Sequence, residues 1–293
     1  MTRRQSSLAS GILLTLPSFL FVFVFLVYPV INLVGLSFFQ DSPLTSTIPH
    51  FVGVRNYYMM LVSDTMWQSL GVTLAFTALS VALELVIGLL IAVLVSKLII
   101  EARTRWEKRF AKTANTVFIL PFAAPAIAAA VAWKMLLHPQ FSPINALLGK
   151  QIAWFTDFPL LGITVADAWK MTPFMLFLLL AAILSIDPAQ FEAAKLDGAS
   201  GWQEFFHLTL PSILPVLAIA TAFRAVDAFT KVFDIVYGTT GGGPGTDTQV
   251  FPLLVWKVAF SFLHFGQASA LAVIAIVISA ILGWLLILVG RTR

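Results

Sequence analysis

Cysteine is absent from the 293 residues, which excludes disulfides and thiolate metal sites. Histidine is scarce: His50, His138, His207 and His264 fall in loops or at the ends of apolar runs, with no paired metal-ligand spacing. No Gly-x-Ser-x-Gly elbow occurs, so an intramembrane hydrolase has neither a metal site nor a nucleophile signature to build on. Charge is sparse too, at 11% of residues, and the formal net +4 reflects a loop bias that implies no nucleic-acid partner. Internal repeats, low-complexity tails and the short alternating runs of an outer-membrane barrel are all missing.

What fills the chain instead is apolar. Hydrophobic residues make up 59%, against roughly 45–50% in soluble domains, and the mean hydropathy is +0.93. A helix needs about 20 apolar residues to cross a bilayer. Six runs qualify, near 11–39, 67–96, 114–137, 161–184, 211–237 and 265–289. The sequence therefore predicts an all-α polytopic membrane protein with six transmembrane helices, a single membrane domain over 1–293, in an inner or plasma membrane. The first run is too long for a signal-peptide core and has no Ala-x-Ala site, so its retention as a span is expected.

Basic loops stay cytoplasmic. Arg3 and Arg4 precede the first run, and Arg291 and Arg293 follow the last. Lys97, Arg103, Arg105, Lys108, Arg109 and Lys112 lie between the second and third runs. The alternate loops carry only Arg55, Lys150 and Lys257. Both termini are thus expected inside, and the loop at 187–210 with them.

That loop interrupts the apolar pattern with capping signals. Asp187 can accept from free backbone donors, Pro188 suits the first helical position and Gln190 can reach back. Gly198 is a stop, and Ser200-Gly201-Trp202-Gln203 repeats the cap. A short helix, a turn and a second helix follow. The string Glu192-Ala193-Ala194, three residues, Gly198, then Leu208, Leu210 and Pro211 resembles the cytoplasmic EAA loop of the permease subunits of bacterial ATP-binding-cassette importers. Its one departure is Leu208, where that family more often has Ile. The resemblance implies the type I importer permease fold, with this loop as a coupling helix docked into an ATPase subunit through Glu192, Ala193, Ala194, Asp197, Gly198, Leu208 and Pro211.

Three further strings resemble carbohydrate permeases of this class. Phe51-Val52-Gly53-Val54-Arg55-Asn56-Tyr57 lies between the first two runs. Asp167-Ala168-Trp169-Lys170-Met171-Thr172-Pro173-Phe174 lies in the fourth, where Asp167 and Lys170 are spaced to pair and Pro173 to kink the helix. Thr240-Gly241-Gly242-Gly243-Pro244 follows the fifth and continues in Ala259-Phe260 and Gly266-Gln267-Ala268-Ser269-Ala270. The glycine run lacks the Gly-Lys-Ser/Thr sequel of a Walker loop, so no nucleotide site is expected. The resemblance implies instead a flexible external loop. Gly241, Gly242, Gly243, Pro244, Asn56 and Tyr57 become candidate contacts for an external solute-binding protein.

A charge at the centre of a spanning helix costs about 2.5–3.5 kcal/mol on an insertion scale. The candidates are Glu84, Lys134, Asp167, Lys170, Arg224, Asp227, Lys231 and Asp234. The last four are spaced three, four and three apart, which stacks them on one helical face. With Phe223, Phe229 and Tyr237 that face could line a path for a hydroxyl-rich solute, or its charges could pair with one another. Glu84 and Lys134 are each expected to have a structural partner.

The chain is accordingly identified as similar to the permease subunit of a binding-protein-dependent sugar or polyol importer, of the maltose and glycerol-phosphate type, in the bacterial cytoplasmic membrane. The resemblance implies a second, homologous permease, two ATPase subunits that bind ATP and Mg and do the hydrolysis, an external binding protein, and a carbohydrate substrate within membrane lipid; this chain would hold no cofactor and catalyse nothing. The alternatives are a non-sugar solute, or a proton-coupled secondary transporter using Glu84, Asp167 or Asp227, whose matching interrupted helices are not seen.

Overall fold

The computed structural model describes residues 14–44, 48–101 and 104–291. Of the basic residues that orient the chain, Arg3, Arg4, Arg103 and Arg293, and the side chains of Arg105, Lys108, Lys112 and Arg291, lie outside the described residues. In chain order the helices are α1 (Leu14–Leu36), α2 (Arg55–Leu61), α3 (Asp64–Glu101), α4 (Arg105–Ala123), α5 (Ala126–Leu136), α6 (Pro143–Leu148) and α7 (Trp154–Asp157). There follow α8 (Pro159–Leu184), α9 (Pro188–Leu196), α10 (Gly201–Lys231), α11 (Phe233–Gly238), α12 (Phe251–Ser261) and α13 (Phe265–Arg291). Five of them are long and apolar enough to cross a membrane: α1, α3, α8, α10 and α13. A sixth crossing is obtained if α4 and α5 count as one span.

The third span departs from expectation. It is two helices bent by 101°. Pro125 forces its predecessor out of the helical region, and Ala124 is extended at φ −69° and ψ 135°. The fourth span is not broken in this way: α8 continues as one helix of 26 residues across Pro173. Close packing from α3 supports it there: a Cβ on Gly88 would come within 2.8 Å of Met175 Cβ, and a proline inside a spanning helix is tolerated when neighbouring helices hold it.

The described residues cluster into two compact units. In the first, up to Met66 with Val255–Ile276, a two-residue antiparallel ladder pairs β1 (Phe39–Gln40) with β2 (His50–Phe51). Span α1 buries nothing within the chain, and its apolar surface is left for lipid or another subunit. In the second, Trp67–Leu254 with Val277 onward, α3, α8 and α10 share an apolar seam of Ala92, Val95, Leu176, Leu179, Leu180, Ile183 and Ile213. A small helix, α11, packs on α5 closely enough that a Cβ on Gly238 would lie 2.6 Å from Ala130 Cβ.

Candidate functional site

The loop after α8 folds as its capping residues require. Asp187 Oδ1 accepts from the Ala189 amide at 2.9 Å, and Pro188 opens α9. At the other end Gly198 takes φ +76°, its amide donates to Lys195 O and the Ala199 amide donates to Ala194 O, the paired closure that lets a left-handed glycine end a helix. Ser200 Oγ accepts from Gln203 N while Gln203 Oε1 accepts from Ser200 N at 2.7 Å, which restarts the chain as α10.

None of the α9 residues is buried. The helix stands out as a knob, with Glu192, Ala193, Asp197 and Gly198 exposed. Between α9 and the start of α10 lies a cleft of about 630 Å³, lined in part by Ala193, Ala194, Asp197, Gly198 and Leu208. Two apolar side chains that sequence reasoning passed over crown the knob: Leu196 is 89% exposed and Trp202 is 74% exposed. Lys97, from the basic end of α3, brings Nζ to 3.6 Å from where a Gly201 Cβ would sit, so the knob shares its side of the molecule with that end. Just before Pro211, which is exposed, α10 widens into a π-helical turn at Phe205–Thr209. A proline has no amide to close the regular ladder, and such widened turns mark adaptable points.

About 23 residues further along α10 the chemistry inverts. Arg224 is only 1% exposed and is the bulkiest fully buried side chain among the described residues. Its Nε and Nη2 hold both oxygens of Glu84 at 2.7 and 2.8 Å, a two-pronged grip across 140 residues of sequence. Nη2 also reaches Asp167 Oδ2, and Nη1 reaches Asp227 Oδ2 at 3.2 Å. Ser80 Oγ bridges Glu84 at 2.8 Å and Asp167 at 2.6 Å. Outside this cluster, Lys231 Nζ meets Asp227 Oδ1 at 2.6 Å with a side chain 76% exposed. A planar guanidinium suits such a fork, and removing one member of a buried set leaves an uncompensated charge.

These contacts correct the single charged face expected on the fifth span. Arg224 and Asp227 turn inward onto Glu84 and Asp167, and helix α10 ends before Asp234, which belongs to α11 and is half-buried. Of the proposed path, Lys231, Phe223 and Tyr237 stay exposed; Phe223 lies against Phe174 at 5.4 Å and Tyr237 stacks on Phe233 at 5.2 Å. Phe229 is fully buried. The expected Asp167–Lys170 pair does not form, because Lys170 Nζ instead reaches Phe122 O, 3.4 Å away at the broken end of α4. Glu84 has the structural partner expected of it. Lys134 is exposed and joins none of the ion pairs among the described residues.

In the first unit, Asn56 is also corrected from surface contact to scaffold. It is buried, and its Nδ2 donates to Ser37 O at 2.8 Å and Phe39 O at 2.9 Å, while Tyr57 Oη and Ser37 Oγ are 2.6 Å apart. Phe51, Val54 and Arg55 are the outward residues of that string, and Tyr58 just after it is exposed too. In the second unit the glycine loop is braced rather than loose. Thr248 Oγ1 donates to Gly243 O at 2.7 Å and faces Thr240 Oγ1 at 2.6 Å, and the loop's exit is pinned by Phe251 N donating to Thr73 Oγ1 at 2.7 Å. Gly241 and Gly242 adopt φ +62° and +98° to allow the turn. Gly241 and Pro244 are exposed, Gly243 is half-buried and Gly242 is buried.

The model of the binding-protein-dependent transport system inner membrane component matches residues 2–292. The trehalose/maltose transport system permease protein MalF of Thermococcus litoralis is 33% identical over 289 residues, covering 97% of this chain and 94% of that protein. The trehalose transport system permease protein SugA of Mycobacterium tuberculosis is 31% identical over 286 residues, covering 97% and 89%. Among solved structures, a bacterial ABC transporter involved in the import of the acidic polysaccharide alginate superposes with a TM-score of 0.76 at 20% identity, covering 99% of this chain and 96% of that one. That last likeness is one of fold.

Proposed function

The chain belongs to the family of binding-protein-dependent transport system inner membrane components, and on that premise we propose that it is the permease subunit of an ATP-driven importer for a sugar or related polyol. The observation that carries the reading is the knob: a helix with no buried residue, capped at both ends and presented beside a cleft, needs a partner. That partner is the ATPase subunit, which holds ATP and Mg. Two such subunits, a second similar permease and an external solute-binding protein complete the complex. The names of the full-length relatives support a carbohydrate solute.

The knob and both termini face the cytoplasm, because the basic end of α3 lies beside the knob and basic segments stay inside. Closure of the ATPase pair around ATP moves α9, and the π-helical turn before Pro211 passes that movement into α10. The path then opens outward. Hydrolysis returns it and releases solute inside. Contact with ATPase involves Glu192, Ala193, Ala194, Asp197, Gly198, Leu208 and Pro211, with Leu196 and Trp202 supplying apolar surface. The solute passes Phe223, Lys231 and Tyr237, and in the second unit Gly241 and Pro244 are contacts for the binding protein.

Purification of the tagged protein from its source tests this. ATPase subunits should co-purify, and a screen of neutral sugars and polyols with the binding protein should find one that stimulates hydrolysis. Solute uptake by vesicles holding this chain alone, driven by a pH gradient and indifferent to ATP, would contradict it.

A further inference from the structure

We infer that Arg224 is a positioning residue for transport, fixing α10 to α3 and α8 so that movement entering through the knob carries all three spans as one body. This rests on the reading of α9 as the ATPase dock. The knob-side halves of the three helices meet through an apolar seam around Leu176, Leu179 and Ile213. In lipid such a seam has little to hold it in register, because acyl chains are as apolar as leucine. The Arg224 cluster is different in kind. Its donors are directional, they are spent on Glu84 of α3 and Asp167 of α8, and Ser80 ties those two carboxyls to each other. Sliding α10 by one residue, about 1.5 Å of rise, breaks the fork. Just outside the cluster, the exposed Lys231 closes the other oxygen of Asp227. Solute therefore meets the rim of the cluster and never its centre.

The absence of cysteine makes the test direct. Val86 on α3 and Ile219 on α10 are both exposed, at 53% and 69%, and can be changed to cysteine and spin-labelled in the complex purified with its ATPase subunits. Between the nucleotide-free state and the state trapped with ATP, Mg and vanadate, the distance should hold within about 2 Å, the scale of ordinary helix adjustments. With Arg224→Met added, it should change by more than that, and the ATP spent per solute imported should rise about fivefold or more with the KM for uptake unchanged. Should Arg224→Met not assemble, Arg224→Lys keeps the charge without the fork and should shift both readouts in the same direction. A wild-type distance that moves with nucleotide overturns the inference, as does an Arg224 variant that raises KM at unchanged stoichiometry, which would put Arg224 on the solute. Absence of any ATPase subunit is a separate failure, recognisable by its empty preparation, and removes the docking reading and this inference together.

Discussion

The two ends of α10 are built on opposite principles. At the knob no residue of α9 is buried, and the hydrogen bonds that cap it join residues no more than five apart. Arg224 is buried, and besides Asp227 three residues on, its partners come from 57 and 140 residues away. That openness suits a surface proposed to engage another protein. The Arg224 cluster instead spends four hydrogen bonds of one guanidinium on carboxylates of three helices. The widened turn at Phe205–Thr209 lies between them.

Substitutions can break that contrast, beginning with the largest effect. Glu84→Leu strands Arg224 without its principal partner and should lower stability by about 3–5 kcal/mol; thermal unfolding of the purified complex reads this, and pairing it with Arg224→Leu should recover a large part. Gly266→Ala should cost about 1–3 kcal/mol by overpacking, because its Cβ would fall 1.9 Å from Phe39 O. Reduced yield and a lower melting temperature are the readouts. Ser200→Ala removes the cap that restarts the chain after the knob and should cost about 1 kcal/mol locally, visible as faster amide exchange at 201–204 with the Arg224 region unchanged. Lys231→Gln removes only the exposed partner of Asp227, which keeps Arg224, and should change stability by under about 1 kcal/mol, while an effect on uptake would support contact with solute.

The same contrast explains what could be read in the sequence. The knob was legible because Asp187, Gly198 and Ser200 act on their own neighbours, so type and spacing carried the geometry. Six apolar runs likewise gave the spans by length alone. Glu84 looked isolated because its partner is distant in the chain, and the spacing of Arg224, Asp227, Lys231 and Asp234 suggested one continuous face although the helix stops at Lys231. Asn56 matched a motif, but a motif does not say which way an amide turns. The two span prolines make the point again: Pro125 lies at a break of 101° between two helices, whereas α8 is unbroken across Pro173, and residue type alone does not tell the two apart.

The central claim is that α9 is where ATP hydrolysis enters this subunit. The most direct measurement places a single cysteine at Leu196, at the exposed tip, and asks in native membranes what a short cross-linker joins it to and from which side it can be labelled. The account predicts cross-linking to an ATPase subunit, weakened or strengthened by nucleotide, and no labelling of intact cells by an impermeant maleimide. Labelling from outside, or cross-links to the binding protein alone, would contradict it.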